Sequence, residues 1–235
     1  MQIVVRTVSD QVYSAVRDRI LLGQIPEETA IRQDALAADL GVSKIPLREA
    51  LTRLEQDGLV TSQANRGYVV RATSSAEAED VFALRAKIEP DATATAAAMA
   101  NSQHRHIATA AFELLEAESE VGGPRVALLN REYHMALVRP CERAVTIQLL
   151  ERLQLLSERY VRAHLELQGR DQRARAEHAN LLKSWLAGDV SKVRSLVQAH
   201  VNGTLEDLRH ELRSEATPTR AKSPRTAKKK ARKRR

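Results

Sequence analysis

Three of the seven histidines in this 235-residue chain, His134, His178 and His200, sit in helix-periodic stretches with apolar neighbours three or four positions away, as in Tyr133-His134-Met135-Ala136-Leu137. That spacing turns each imidazole inward. A lone inward histidine is ordinarily a hydrogen-bonded core residue. Three on separate helices can converge on one divalent cation, because imidazole is a common metal ligand and facing bundle helices are where such sites are built. Three imidazoles and an open coordination position also describe a metal-dependent hydrolase. No His-Glu-x-x-His occurs, however, and Glu177, beside His178, has no second residue to support it as a base.

A second set of residues has the chemistry for phosphates and base edges. Within Arg32 to Arg71, Leu36, Ala37 and Leu40 share a helical face, Gly41 breaks the helix, and Ser43 stands where its side-chain oxygen caps the next one. Pro46 falls in the first turn of that second helix, where its missing N–H costs nothing, and Leu47, Leu51 and Leu54 repeat against the first helix. This is helix-turn-helix spacing, and it leaves Lys44, Arg48, Thr52 and Arg53 facing outward. After Gly58, Leu59-Val60-Thr61 and Tyr68-Val69-Val70 flank Gln63-Ala64-Asn65-Arg66-Gly67, which predicts a β-hairpin, a wing beside the helices. The expected DNA contacts are Arg32, Ser43, Lys44, Pro46, Arg48 and Arg53 on the helices and Asn65, Arg66 and Gly67 at the wing tip.

The elements that must position these residues follow from periodicity. Val12, Val16 and Ile20 mark a first helix over Val8–Leu22, with Ser9 available as its cap. Ala72-Thr73-Ser74 reads as a polar linker. Beyond it no stretch reads as a strand. Helices are expected over Ser75–Met99 with a kink or break before Pro90, then Gln103–Ser119, Pro124–Val138, Glu142–Gln168, Arg170–Ala187 and Asp189–Arg213. Each carries an aliphatic stripe, which predicts an antiparallel bundle with Trp185 in its core. The fold class is therefore mainly α. A winged helix-turn-helix domain is expected over 1–72, and an all-helical domain for effector binding and dimerisation over 73–216.

Composition fits this division, since 43% hydrophobic residues suffice for two cores. The net charge of +7 is concentrated at one end: Thr217 to Arg235 holds ten Lys or Arg and no acidic residue. Such a segment predicts a disordered basic tail over 217–235, able to contact DNA phosphates without reading sequence. Taken alone, the tail would suit a nucleoid-associated architectural protein. Cys141 is the single cysteine, and the chain has no signal peptide and no apolar run near about twenty residues, so a cytoplasmic protein with no membrane partner is expected.

The segments VSKIPLREALTRLEQDGLV and NRGYVV resemble the DNA-binding domain of the GntR family of bacterial transcription regulators. That pattern usually has Arg where this chain has Lys44, and Gly after the proline of the preceding loop, where this chain has Pro26-Glu27. Arg grips guanine with two donors and Lys is a point charge, so the operator is expected to be read less sharply there. LNREYHMAL and AEHANLLKSWLAGDVSKVRSLVQAHV resemble the all-helical ligand-binding (FCD) domain of the FadR-type branch, many members of which bind a divalent metal through an Asp and three His. The resemblance implies His134, His178 and His200 as ligands, with Asn130 in the place of the Asp, one turn before His134. The implied ion is zinc first, with nickel or manganese as alternatives.

The family also implies a ligand-responsive regulator, here taken as a repressor, whose effector is a small organic acid beside the metal. Arg85, in VFALRAKIEP, partly matches a family pattern and is the leading effector-binding candidate; its competing role is an i,i+4 ion pair with Glu89. Arg159 and Tyr160 are further candidates, with a solvated bundle face as their alternative. A helix-turn-helix reads few base pairs, so a homodimer on a palindromic double-stranded operator is expected.

Overall fold

A computed structural model describes residues 6–165 and 170–215; the tail expected over 217–235 lies outside the described residues. The first helix, α1 (Val8–Leu21), starts at Thr7. The Asp10 N–H donates to Thr7 Oγ1 at 3.1 Å, and the Thr7 N–H donates to the Asp10 carboxylate at 3.0 Å. Thr7 caps in place of Ser9 because this reciprocal box needs an acceptor three residues on, and Asp10 supplies it. Then α2 (Gln33–Asp39) and α3 (Lys44–Gln56) meet around Gly41, whose φ of +65° suits a residue without Cβ. Ser43 takes the extended N-cap conformation, but its side chain makes no capping hydrogen bond.

Val12, Val16 and Ile20 of α1 bury against Leu47, Leu51 and Leu54 of α3, so the second helix of the motif is seated on α1 by its apolar face. Strands β1 (Val60–Gln63) and β2 (Gly67–Val70) form the antiparallel wing, paired from Val60↔Val70 to Gln63↔Gly67. Residues 28–31 add an edge that the sequence did not announce. The Ile31 N–H donates to the Tyr68 carbonyl at 2.8 Å and the Val70 N–H to the Thr29 carbonyl at 3.1 Å. That segment has no alternation to signal it; backbone bonding to the wing decides its conformation.

The C-terminal part contains helices and no strand among its described residues: α4 (Ser75–Met99), α5 (Ser102–Glu120), α6 (Val126–Val138), α7 (Ala144–Leu165), α8 (Arg170–Leu186) and α9 (Val190–Glu215). Helix α4 runs unbroken through Pro90, against the expected break. Both Pro90 and Glu89 are buried where α4 packs along α7 and α9, so tertiary contacts outweigh the one helical hydrogen bond that proline removes. A 3-10 turn, Arg139–Cys141, and the left-handed Glu142 (φ +57°) delay the start of α7 beyond the expected position. Phe82, Tyr133, Leu137, Leu150 and Trp185 are fully buried in one core. The Trp185 Nε1–H donates to the Leu137 carbonyl at 3.1 Å, which satisfies its one polar atom there.

Helix α7 belongs to both parts. Leu155 packs into the core of the winged unit, while Leu150 and Leu153 pack into the bundle. Beside Leu155, Arg159 Nη2 donates to Glu27 at 2.7 Å and also to the Arg71 carbonyl. The Tyr160 hydroxyl donates to Glu77 at 2.8 Å and accepts from the Ser74 N–H at 3.1 Å. No helix among the described residues is long and apolar enough to cross a membrane.

Candidate metal centre and nucleic-acid interface

The three histidines expected to share an ion come together. One donor atom from each of His134 on α6, His178 on α8 and His200 on α9 lies within 4.8 Å of the others. The sequence produces this by placing each histidine among the buried apolar residues of its own helix: Tyr133 and Leu137 on α6, Leu181 and Leu182 on α8, and Val197 and Val201 on α9. His134 Nδ1 is 3.0 Å from Glu89 Oε1, and His200 Nδ1 is 2.6 Å from Glu177 Oε2. A carboxylate behind an imidazole fixes its tautomer and leaves the other nitrogen's lone pair free for a metal. Nε2 of His134 and Nε2 of His178 are buried without any hydrogen-bond partner. Burial pushes the His134 imidazole down to about 4, against the opposing pull of Glu89. Burial, then His200 and His134, hold His178 well below its ordinary value. Two imidazoles with orphaned nitrogens, close to a donor atom of a third, are the kind of donor set a divalent ion takes.

Asn130, one turn before His134, is buried and lines a cavity with His178. Arg85 is 3% exposed and does not line that cavity. Its Nε donates to Glu89 Oε2 at 2.8 Å and its Nη1 to Ser157 Oγ at 3.1 Å. Glu89 Oε1 also accepts from Gln154 Nε2 at 2.9 Å. Burial would raise the Glu89 carboxyl, but Arg85 and His134 overrule it and hold it well below the carboxylate range. Arg85 thus braces the carboxylate behind His134, and the ion-pair alternative is the arrangement observed. Arg159 and Tyr160 are not brought to the histidines; both seat in the seam beside the winged unit.

Glu89 and Gln154 belong to this site without being marked as such by the chain, and Glu177, noticed beside His178 as an unsupported base, stands behind His200 instead. A clue to Glu89 exists, an acidic residue one helical turn after Arg85 at i,i+4, but nothing local ties it to a histidine 45 positions away. Gln154 has no such clue.

On the winged unit, Lys44, Arg48 and Gly67 line one groove with Gln33, Asp34 and Tyr68, between the helices and the wing. Arg48 is exposed and has no anion on it among the described residues, whereas Lys44 pairs with Asp34. Arg32, at the start of α2, and Ser43, at the start of α3, are exposed beside the groove, and Pro46 lies in the first turn of α3. Asn65 (φ +64°) and Gly67 (φ +70°) turn the wing tip and leave Arg66 exposed. Arg53 does not join this set. Its guanidinium pairs with Asp10 at 2.7 Å and lies 4.4 Å from the centre of the Tyr13 ring, so it ties α3 back to α1.

Residues 8–70 match the family described as bacterial regulatory proteins, gntR family, and residues 80–203 match the FCD domain. The Nta operon transcriptional regulator of Aminobacter aminovorans is 35% identical over 131 residues, 55% of this chain and 60% of that protein, so the match spans less than two thirds of the relative's length. The HTH-type transcriptional repressor GlaR of Escherichia coli (strain K12) is 27% identical over 199 residues, 80% of this chain and 90% of that protein. In fold, the structure of E. coli McbR/YncC superimposes with a TM-score of 0.76 at 19% identity, covering 88% of this chain and 100% of that one. A winged unit that matches the first family and a histidine-bearing bundle that matches the second give one assignment: the chain belongs to the GntR family of bacterial regulatory proteins, in its FCD-domain branch, a family of DNA-binding transcription regulators and not of enzymes.

Proposed function

We propose that this chain is a transcriptional repressor whose grip on a palindromic operator is set by a small carboxylic acid bound in its metal-containing helical domain. GntR regulators bind DNA operators and take small-molecule effectors through the FCD domain, and FCD domains commonly bind metal. The observation that carries the reading here is the pair of buried, partnerless Nε2 atoms on His134 and His178, facing His200. His134, His178 and His200 hold the ion, zinc by preference with nickel or manganese as alternatives, and Asn130 adds an amide oxygen. That ion would supply positive charge for an acid's oxygens at the histidine cluster.

The winged domain, taken as residues 1–72, docks α3 in the major groove, with Arg48 and Lys44 at base edges and Arg32, Ser43, Asn65, Arg66 and Gly67 on the backbone and minor groove. Residues 73–216 form the effector and dimerisation domain, and two copies read the two half-sites. A DNA target places the protein in the bacterial cytoplasm, on the nucleoid. The hydrolase alternative gains no support: Glu89 and Glu177 each hold an imidazole and are not left over as bases.

Footprinting on the DNA upstream of the chain's own gene, with and without zinc and a panel of metabolite acids, tests the reading. Protection of one palindrome, released by a particular acid only when metal is present, is the expected result. Uniform coating of any DNA, or an acid response indifferent to a chelator, would defeat it.

A further inference from the structure

A cavity of about 440 Å³ lies between the end of α1, the loop joining α5 to α6, and α8. That volume suits a small organic molecule. Leu115, Val126 and Leu22 give it apolar wall, and Leu22 comes from the winged domain. Asn130 and His178 also line it, so the cavity reaches the histidine cluster, and His178, 4% exposed, has the orphaned Nε2 described above.

The cavity's guanidinium, Arg175, is already engaged: it donates to Glu116 at 3.1 Å and to Glu120 at 3.0 Å, and Asp171 stands among the lining residues too. An entering carboxylate is therefore repelled at that side, where acids outnumber the cation. The Asn130 and His178 end has no acidic side chain among its lining residues and opens onto the histidine cluster that would hold the ion.

We propose that this cavity is a ligand site shared by the two domains, taking a carboxylic acid with an apolar body, its head at Asn130 and His178 and its body against Leu115, Val126 and Leu22. The proposal rests on the effector reading above and adds the chemistry of the ligand's body and the route of its signal. Leu22 follows directly on α1, the helix whose Val12, Val16 and Ile20 form the bed of α3. A body lying on Leu22 touches the recognition helix's own support, so coupling needs no relay of side chains through the bundle. A ligand shifts α1 only by contacting it differently before and after a movement, and Leu22 is where such contact would fall.

The test uses the full chain supplemented with zinc chloride, with hexanoate and acetate as probes, followed by hydrogen exchange and thermal shift. Hexanoate should slow amide exchange in residues 19–25 as well as in 115–130, and should raise the melting temperature at concentrations where acetate does not. Leu22→Ala should weaken hexanoate about tenfold, as removal of part of the apolar wall implies. Ala127→Trp, which fills the cavity from the bundle side, should abolish the response and serves if the Leu22 variant fails to fold. Protection confined to the bundle, or a hexanoate response unchanged by either substitution, overturns the shared site and leaves the effector reading standing. Equal responses to acetate and hexanoate overturn the apolar body. Absence of any response to either acid, with zinc bound, overturns the apolar-bodied acid at this cavity and leaves the effector reading to the footprinting with the wider panel of acids.

Discussion

His134 and His178 carry the sharpest expectation, because a buried imidazole nitrogen without a partner is costly unless something coordinates it. Purified protein should contain a divalent ion, and the double variant His178→Ala, His200→Ala should lose it. Elemental analysis before and after dialysis against a chelator measures this. Removal of the ion should lower the melting temperature by about 5 to 10 °C if the metal was present at about a hundredfold over its Kd. Asn130→Asp should tighten the ion by about tenfold or more, since a carboxylate adds charge at a buried position; equal or weaker binding would remove Asn130 from the ligand set. On the winged domain, Arg48→Ala should cost about 1 to 3 kcal/mol of operator affinity with the fold unchanged, as expected when one base edge is left without its donor. Anisotropy on operator and random DNA decides, and undiminished discrimination would reassign Arg48.

Helix α7 is where the two domains are tied, and its side chains divide the work. Gln154 and Ser157 face the Arg85–Glu89 pair behind His134, while Leu155, Arg159 and Tyr160 face the winged domain and the linker. Arg159 is 5% exposed at its side chain and Glu27 is 44% exposed, so the pair is worth less than a fully buried one. Arg159→Ala should cost about 1 to 2 kcal/mol, mostly from the Arg71 carbonyl and Glu27 left without their donor, and should expose the linker at 71–74 to protease. The Glu27 carboxyl is held low: burial opposes this, but the Thr73 N–H and Arg159 prevail. A depressed folded value means that the stabilisation is complete above the ordinary 4.5 and is lost as pH falls through the lower value. Glu27→Gln should therefore flatten the acid limb of the pH–stability curve. An unchanged limb would show that the seam contributes nothing there.

Across the chain, charge separates into a near-neutral reader and a strongly basic end. Residues 1–71 hold nine Lys or Arg and nine Asp or Glu, and several of these already pair internally, such as Arg53 with Asp10 and Lys44 with Asp34. Much of the non-specific affinity is then expected from the ten basic residues of 217–235. Truncation after Ala216 should weaken operator and random DNA by similar factors and flatten log K against log salt by up to about 0.9 unit for each phosphate no longer neutralised. Titrations of both DNAs at several salt concentrations test this, and a selective loss of operator preference would contradict it.

The helix-turn-helix, the wing and the inward histidines were legible in the chain because each is a local pattern. Leu47, Leu51 and Leu54 repeat at helical spacing, Gly41 and Gly67 mark turns, and His134, His178 and His200 each sit within an apolar stripe. The family resemblance then indicated which histidines share a site. What surrounds that site was not legible, since Glu89, Gln154 and Glu177 reach their partners only through packing of helices far apart in sequence. The same holds for the places of Arg53, Arg159 and Tyr160. Their outward helical positions look alike in one dimension, and only the docking of α1 on α3 and of α7 on the winged domain selects a partner for each. Leu22 is the clearest instance. In the sequence it is the last apolar residue of a first helix, and only the packing of the two domains makes it a wall of the cavity at His178.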